Sequence, residues 1–208
     1  MRVRTEAKRE AIVEAAAQVF LEFGFDGASM AQIATRVGGS KGTLYGYFSS
    51  KEELFVEVMH GMAKRYLEPI FEALQKDHDD LRHALQQFGE RTLAVLCLEA
   101  SIQARRAIIA QSGRSDIGLR FYERGPKKGV REVATFLARQ VEEGKLRPCD
   151  PEVAACHLMA LLDSETVMPC LLGVTQKPTP AHVRAAVTRA LDTFLAGYAL
   201  RPDSVMRT

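Results

Sequence analysis

Residues 29–53 read SMAQIATRVGGSKGTLYGYFSSKEE, and this stretch decides the fold. Ser29 precedes a short run in which Ile33, Ala34 and Val37 fall on one helical face. Gln32, three residues after Ser29, completes a capping box. Gly38-Gly39 ends that run. Ser40 then caps a second short segment that carries Leu44 and Phe48 four residues apart. Ser50 with Glu53 makes another capping box, which opens a longer helix with Leu54, Phe55, Val58 and Met62 inward. Two short helices joined by a glycine-containing turn are the signature of a helix-turn-helix, whose second helix enters the DNA major groove.

Upstream, Ile12, Ala16, Val19, Phe20 and Phe23 recur at spacings of three and four, and Gly24 supplies a helix stop. Downstream of Pro69 the elements lengthen. Leu81, Leu85, Phe88, Thr92 and Val95 form one stripe, and Val130, Val133, Ala134, Leu137 and Val141 form another. Asp150-Pro151 is a strong helix start, with an acidic N-cap and proline at the first helical position. From Val153 to Leu162 the pattern is apolar almost all round, which predicts burial on more than one side. Val183, Val187, Ala190, Leu191, Phe194 and Tyr198 line a final helix. No alternating strand pattern and no internal repeat occurs. The expected fold is all-α, with a helix-turn-helix domain over 1–50 and a larger helical effector-binding and dimerisation domain over 51–208.

The 208 residues are 47% hydrophobic and 26% charged, which supports a real core and excludes global disorder. The stretch Val153 to Val174 is interrupted by Asp163, Ser164, Glu165 and Pro169, so no membrane span is expected. No apolar leader stands at the start, and the expected location is the cytoplasm. The four cysteines, Cys97, Cys149, Cys156 and Cys170, form no CxxC pair, and reduced thiols are expected. The neighbours Cys156 and His157 read as a packed thiol and a satisfied core histidine. No metal and no cofactor is expected. The formal net charge is +2, too small for a non-specific nucleic-acid coat. Residues 1–51 contain seven basic side chains, Arg2, Arg4, Lys8, Arg9, Arg36, Lys41 and Lys51, against five acidic ones. The whole excess therefore lies in the first quarter, which points that segment at an anionic partner.

The polar residues of the second short helix sharpen this reading. Ser40, Lys41, Gly42 and Thr43 place a hydroxyl, an ammonium and bare backbone in one first turn, where free N–H groups attract phosphate. Lys41 can reach a phosphate or a guanine edge. Tyr45 and Tyr47 cannot both face inward beside Leu44 and Phe48, so at least one projects, and a tyrosine hydroxyl is a common phosphate donor. Lys51 sits at a helix start, where a cation opposes the dipole and suits an external anion better. Ser29 offers a hydroxyl at another helix start. These donors converge without a matching acid.

Residues 12–58 resemble the DNA-binding domain of the TetR/AcrR family of transcriptional regulators. The resemblance rests on Gly24-Phe25-Asp26-Gly27-Ala28-Ser29-Met30, Ile33-Ala34, Val37-Gly38, Ser40-Lys41-Gly42-Thr43-Leu44-Tyr45, Tyr47-Phe48 and Ser50-Lys51-Glu52. It implies a three-helix DNA-binding domain joined to a helical domain that dimerises and binds a small molecule. It also implies phosphate contacts at Ser29, Lys41, Tyr47 and Lys51, and base proximity at Gly42, Thr43 and Tyr45. Two residues depart from the pattern. Gly39 replaces a usual apolar residue, which should loosen the recognition helix by something on the order of a kcal/mol. Gly46 replaces a larger polar side chain, so base reading rests more on Lys41, Thr43 and Tyr45. The stretch from Arg105-Arg106-Ala107-Ile108-Ile109 through Phe121-Tyr122-Glu123 to Gly125-Pro126 resembles the AefR-like branch of the family.

In the larger domain, the last two helices, about 151–172 and 181–199, are apolar on more faces than one small bundle needs. Pairing with a second copy would form a four-helix dimer interface. Candidate effector-pocket residues are Met62, Tyr66, Phe88, Arg91, Phe121, Tyr122, Phe136, His157, Met159 and Leu161, mostly apolar with Arg91 or His157 as polar anchors. The function expected is a homodimeric repressor on near-palindromic double-stranded DNA, released by a small-molecule effector. Its two recognition helices would enter grooves about 34–36 Å apart. The alternatives are a helical adaptor that has lost DNA binding and an α-helical enzyme. No G-x-S-x-G, H-E-x-x-H or Walker tract supports the latter.

Overall fold

The computed structural model describes residues 5–200, so Arg2 and Arg4 lie outside the described residues. Within that range the chain is helical, and the sole bridge between extended residues pairs Leu146 with Ala199. The chain divides into two compact units. One holds the residues up to Lys64 together with Gln103–Gly125, and the other holds Arg65–Ile102 with the residues from Pro126 onward. The break in packing therefore falls at Lys64 and not near residue 50. The physical reason is a shared core: Leu54, Phe55 and Val58 bury with Ile12, Val19, Phe20, Ile33 and Leu44, and Ile108 and Ile117 join them.

In the first unit, α1 (Glu6–Gly27) starts at Thr5, whose side chain accepts from the Lys8 N–H. Gly24 takes φ 69° and breaks the helical path, as its sequence position predicts. The break also changes which phenylalanine is buried. Phe23 points outward at 42% exposure, and Phe25, beyond the kink, fills the core against Phe20 and Phe55 instead. Helix α2 (Met30–Arg36) carries the predicted Ser29/Gln32 capping box. Its end is a Schellman turn: Gly38 N–H bonds Thr35 O, and Gly39 N–H bonds Ala34 O at 2.9 Å. Gly38 holds the left-handed conformation that this turn requires, φ 65°. Helix α3 (Lys41–Tyr47) and α4 (Lys51–Tyr66) follow. At α4, Ser50 Oγ accepts from Glu53 N–H as predicted, but the Glu53 carboxylate reaches back to the N–H and hydroxyl of Ser49, not to Ser50. The unit is completed by the later part of α7 (Glu99–Ser112) and by α8 (Ile117–Arg124).

The second unit contains α5 (Glu68–Leu74), α6 (Leu81–Leu96), α9 (Pro126–Glu142), α10 (Pro151–Ser164), α11 (Val167–Leu171) and α12 (Pro180–Tyr198). Its core runs through Leu85, Phe88, Leu93, Val133, Phe136, Leu137, Leu158, Val187 and Phe194. Asp150 caps α10 by accepting from the N–H groups of Glu152 and Val153. The expected single helix over 151–172 is two helices. Pro169 has no N–H to give Glu165, and its ring would collide with that carbonyl. The chain turns at Glu165–Thr166, and the freed Glu165 carbonyl meets His182 Nε2 at 3.3 Å. In the single chain one face of α10 is uncovered. Val153 is 47% exposed, and Cys156 and His157 are exposed with it, so neither is a packed core residue in the single chain. No helix among the described residues is long and apolar enough to cross a membrane.

Candidate nucleic-acid interface

Helix α3 is seven residues long and presents a small polar surface. Ser40 is its N-cap, accepting from Thr43 N–H at 3.1 Å and lying 2.9 Å from the Thr43 hydroxyl. Leu44 is fully buried, and Phe48 closes the helix with its N–H on Leu44 O. Arg9 lies over the Phe48 ring at 5.2 Å from its centroid. Burial of Leu44 and Phe48 fixes the rotation of α3, so Lys41, Gly42 and Tyr45 face solvent and Thr43 and Tyr47 are partly covered.

The predicted donors divide into two groups. Ser29 is spent internally: its hydroxyl donates to Gln32 Oε1 at 2.7 Å and accepts from Gln32 N–H. Lys51 is also spent. Its ammonium donates to Phe25 O at 2.7 Å and Ala28 O at 3.0 Å, and sits 4.3 Å from the centroid of the Phe25 ring. The expectation that Lys51 lacks internal acceptors is thus corrected. Its acceptors are carbonyls at the kinked end of α1, where no acid is needed. Lys41 and Tyr45 remain: no hydrogen bond or ion pair ties either among the described residues, and the Lys41 ammonium lies 5.9 Å from the Tyr45 ring centroid. Tyr47 stands between the groups. Its hydroxyl oxygen accepts from Thr5 N–H at 3.1 Å, which leaves its own O–H to donate outward.

Sequence reasoning missed Glu57. It lies on α4, its side chain 14% exposed, and one carboxylate oxygen meets Arg9 at 2.9 Å and Arg124 at 2.6 Å. Burial raises its pKa, but the hydrogen bonds from Arg124 and Arg9 outweigh that and hold it below the usual carboxylate range. The triad joins α1, α4 and α8 around the core that supports α3.

The candidate effector residues are divided between the two units. Met62, Phe121 and Tyr122 belong to the first unit and the other seven to the second. Phe88 and Phe136 are closed core residues, and Met159 and Leu161 pack at its edge. Tyr66, Arg91, Tyr122 and His157 are exposed. His157 Nδ1 is 2.6 Å from the Tyr198 hydroxyl. Two polar atoms in the second unit's core have no hydrogen-bond partner, Thr92 Oγ1 on α6 and Gln140 Oε1 on α9. Buried polar atoms are normally satisfied, which sets these two apart from the apolar core around them.

A glycine-turned pair of short capped helices with an open polar face defines a helix-turn-helix DNA-binding protein. Comparison with known proteins specifies which. The family model for bacterial regulatory proteins of the tetR family matches residues 12–58, and the model for the AefR-like transcriptional repressor C-terminal domain matches residues 83–200. A TetR-family transcriptional regulator from Mesorhizobium loti is 30% identical, with 96% of this chain and 100% of that one covered and a TM-score of 0.86. The flavonoid-responsive regulator FrrA is 30% identical over 95% of this chain and 100% of its own, with a TM-score of 0.72. The transcriptional regulator RutR of Escherichia coli K12 is 29% identical over 77% of this chain and 72% of its own length. The chain belongs to the TetR family of transcriptional regulators. It is an all-α, DNA-binding regulator of transcription.

Proposed function

We propose that this protein is a homodimeric repressor that binds a near-palindromic operator through α3 and leaves it when a small molecule binds the second unit. The observation that carries the reading is the open face of α3, where Lys41, Tyr45 and the O–H of Tyr47 have no acceptor among the described residues. Phosphate and base edges supply acceptors for such groups. Repression accords with the AefR-like repressor family matched over residues 83–200.

The dimer is assigned to α10 and α12. Val153, Cys156, His157 and Ala160 leave one face of α10 uncovered in the single chain, and an isologous pair would bury it. The effector is assigned to the second unit, with an apolar body and at least one polar group directed to Thr92 or Gln140. FrrA is described as flavonoid-responsive, and an aromatic effector is a reasonable first class to screen.

The test is selection of DNA from a random pool by the purified protein, followed by sizing of the complex. A two-fold-symmetric sequence bound by two chains is the expected result. A monomer in solution, or no selected sequence, would sink the proposal. Val153→Glu should dissociate the dimer and abolish high-affinity binding.

A further inference from the structure

Five basic side chains lie between residues 5 and 51, and four of them are tied to an acceptor or an acid of this chain. Lys8 donates to Val37 O at 3.3 Å, Arg9 pairs with Glu57 at 2.9 Å, and Arg36 pairs with Glu22 at 2.7 Å. Lys51 donates to Phe25 O and Ala28 O. Lys41 is the exception among the described residues. Its nitrogen has only the Tyr45 ring, 5.9 Å from the centroid, and Tyr45 is itself 47% exposed.

The rest of α3 leaves this pair alone on its flank. Gly42 and Gly46 stand two residues either side of the buried Leu44, so at about 100° per residue they point directly away from the core. A Cβ at Gly46 would meet nothing within 4 Å, and one at Gly42 only Ser40 Oγ at 3.8 Å. The ridge that faces a groove is therefore bare. Thr43 and Tyr47 occupy its other flank, and both are tied to protein groups, Ser40 and Thr5. Lys41 and Tyr45 are one helical turn apart, which keeps them neighbours on the surface.

We propose that Lys41 and Tyr45 act as one base-reading unit, with the ammonium held by the ring and directed at the O6/N7 edge of a guanine in each half-site. The proposal rests on the DNA-binding reading above. An ammonium only donates, and guanine alone offers two adjacent major-groove acceptors with no donor beside them. A free lysine would spread over many rotamers and suit diffuse phosphate contact. A lysine held over an aromatic ring is restrained to one side of the helix.

The test compares DNA selected from a random pool by the wild type, Lys41→Ala, Tyr45→Ala and the double variant. The wild type is expected to favour guanine at one position per half-site by about tenfold or more. Lys41→Ala should lose that preference and keep the others. Tyr45→Ala should weaken preference at the same position, and the double variant should lose no more than Lys41→Ala, because the two residues are coupled. Placing 7-deazaguanine there should weaken wild-type binding by about fivefold or more and leave Lys41→Ala unaffected. A uniform loss over all sequences in Lys41→Ala, with the salt slope reduced by about one, would make Lys41 a phosphate contact and overturn the proposal. Wild-type protein that selects no sequence would overturn both this proposal and the DNA-binding reading.

Discussion

The Lys51 ammonium lies 4.3 Å from the centroid of the Phe25 ring and donates to the Phe25 carbonyl at 2.7 Å. Together with its bond to Ala28 O, this ties the start of α4 to the kinked end of α1. Hydrogen bonds to a charged group contribute more than neutral ones. Lys51→Ala is therefore expected to cost about 1.5–3 kcal/mol of stability. Urea unfolding measures it directly, and a variant as stable as the wild type would show the contact to be idle.

Glu57 serves two arginines, so its neutral replacement removes the charge they share and leaves Arg9 only its longer contact with Glu6, at 3.7 Å. Glu57→Gln should destabilise the first unit by about 1–3 kcal/mol at neutral pH. The sign with pH follows from the lowered pKa. A depressed folded-state value makes the contribution fully present above the unfolded value of about 4.3, and lost as pH falls through the folded value. The stability gap between wild type and variant should close on acidification, as read by unfolding curves from pH 7 downward. A gap that widens in acid would contradict the triad.

The glycines of the α2–α3 turn and of α3 should respond differently. Gly46 sits inside α3 with open space at its Cβ, so Gly46→Ala should stabilise by up to about 1 kcal/mol. Gly38 has φ 65°, and Gly38→Ala should cost about 1–2 kcal/mol. Gly39 has ordinary space, its Cβ meeting Val37 Cγ1 at 3.5 Å, so Gly39→Ala should be neutral or stabilising. Thermal melts of the three variants give the ranking, and a Gly38→Ala variant that melts as high as Gly46→Ala would refute it.

Tyr47 uses its oxygen as an acceptor for Thr5 N–H and keeps its own O–H to give. Tyr47→Phe should weaken binding to every DNA sequence by a similar factor, since phosphate contacts carry no sequence information. Fluorescence anisotropy on operator and scrambled duplexes tests this. A loss confined to the operator would place Tyr47 on a base.

Most of the fold is legible in the sequence because its signals are local. The Ser29/Gln32 box, the Ser40 cap, the glycine turn and the Asp150-Pro151 start each depend on residues within one helical turn, and each appears where its spacing predicts. The division of α10 from α11 has a local cause as well, Pro169 and the carbonyl four residues before it, but the apolar pattern runs through that point and reads as one helix. Other features were not legible. Phe25 replaces Phe23 in the core because the Gly24 kink resets the face of the chain, and a helical count carried through that point goes wrong. The ten candidate effector residues divide between the two units, and an apolar stripe does not say what it packs against.

The sequence by itself determined an all-α chain with a capped helix-turn-helix near its start, because periodicity and capping are set by neighbours a few residues apart. Only the tertiary structure decided which charges are left over. Lys51 meets carbonyls 26 and 23 residues away, and Glu57 meets Arg9 and Arg124 48 and 67 residues away. No local spacing encodes those meetings. They follow from how the helices bury their apolar faces, and they leave the Lys41 ammonium facing outward over the Tyr45 ring.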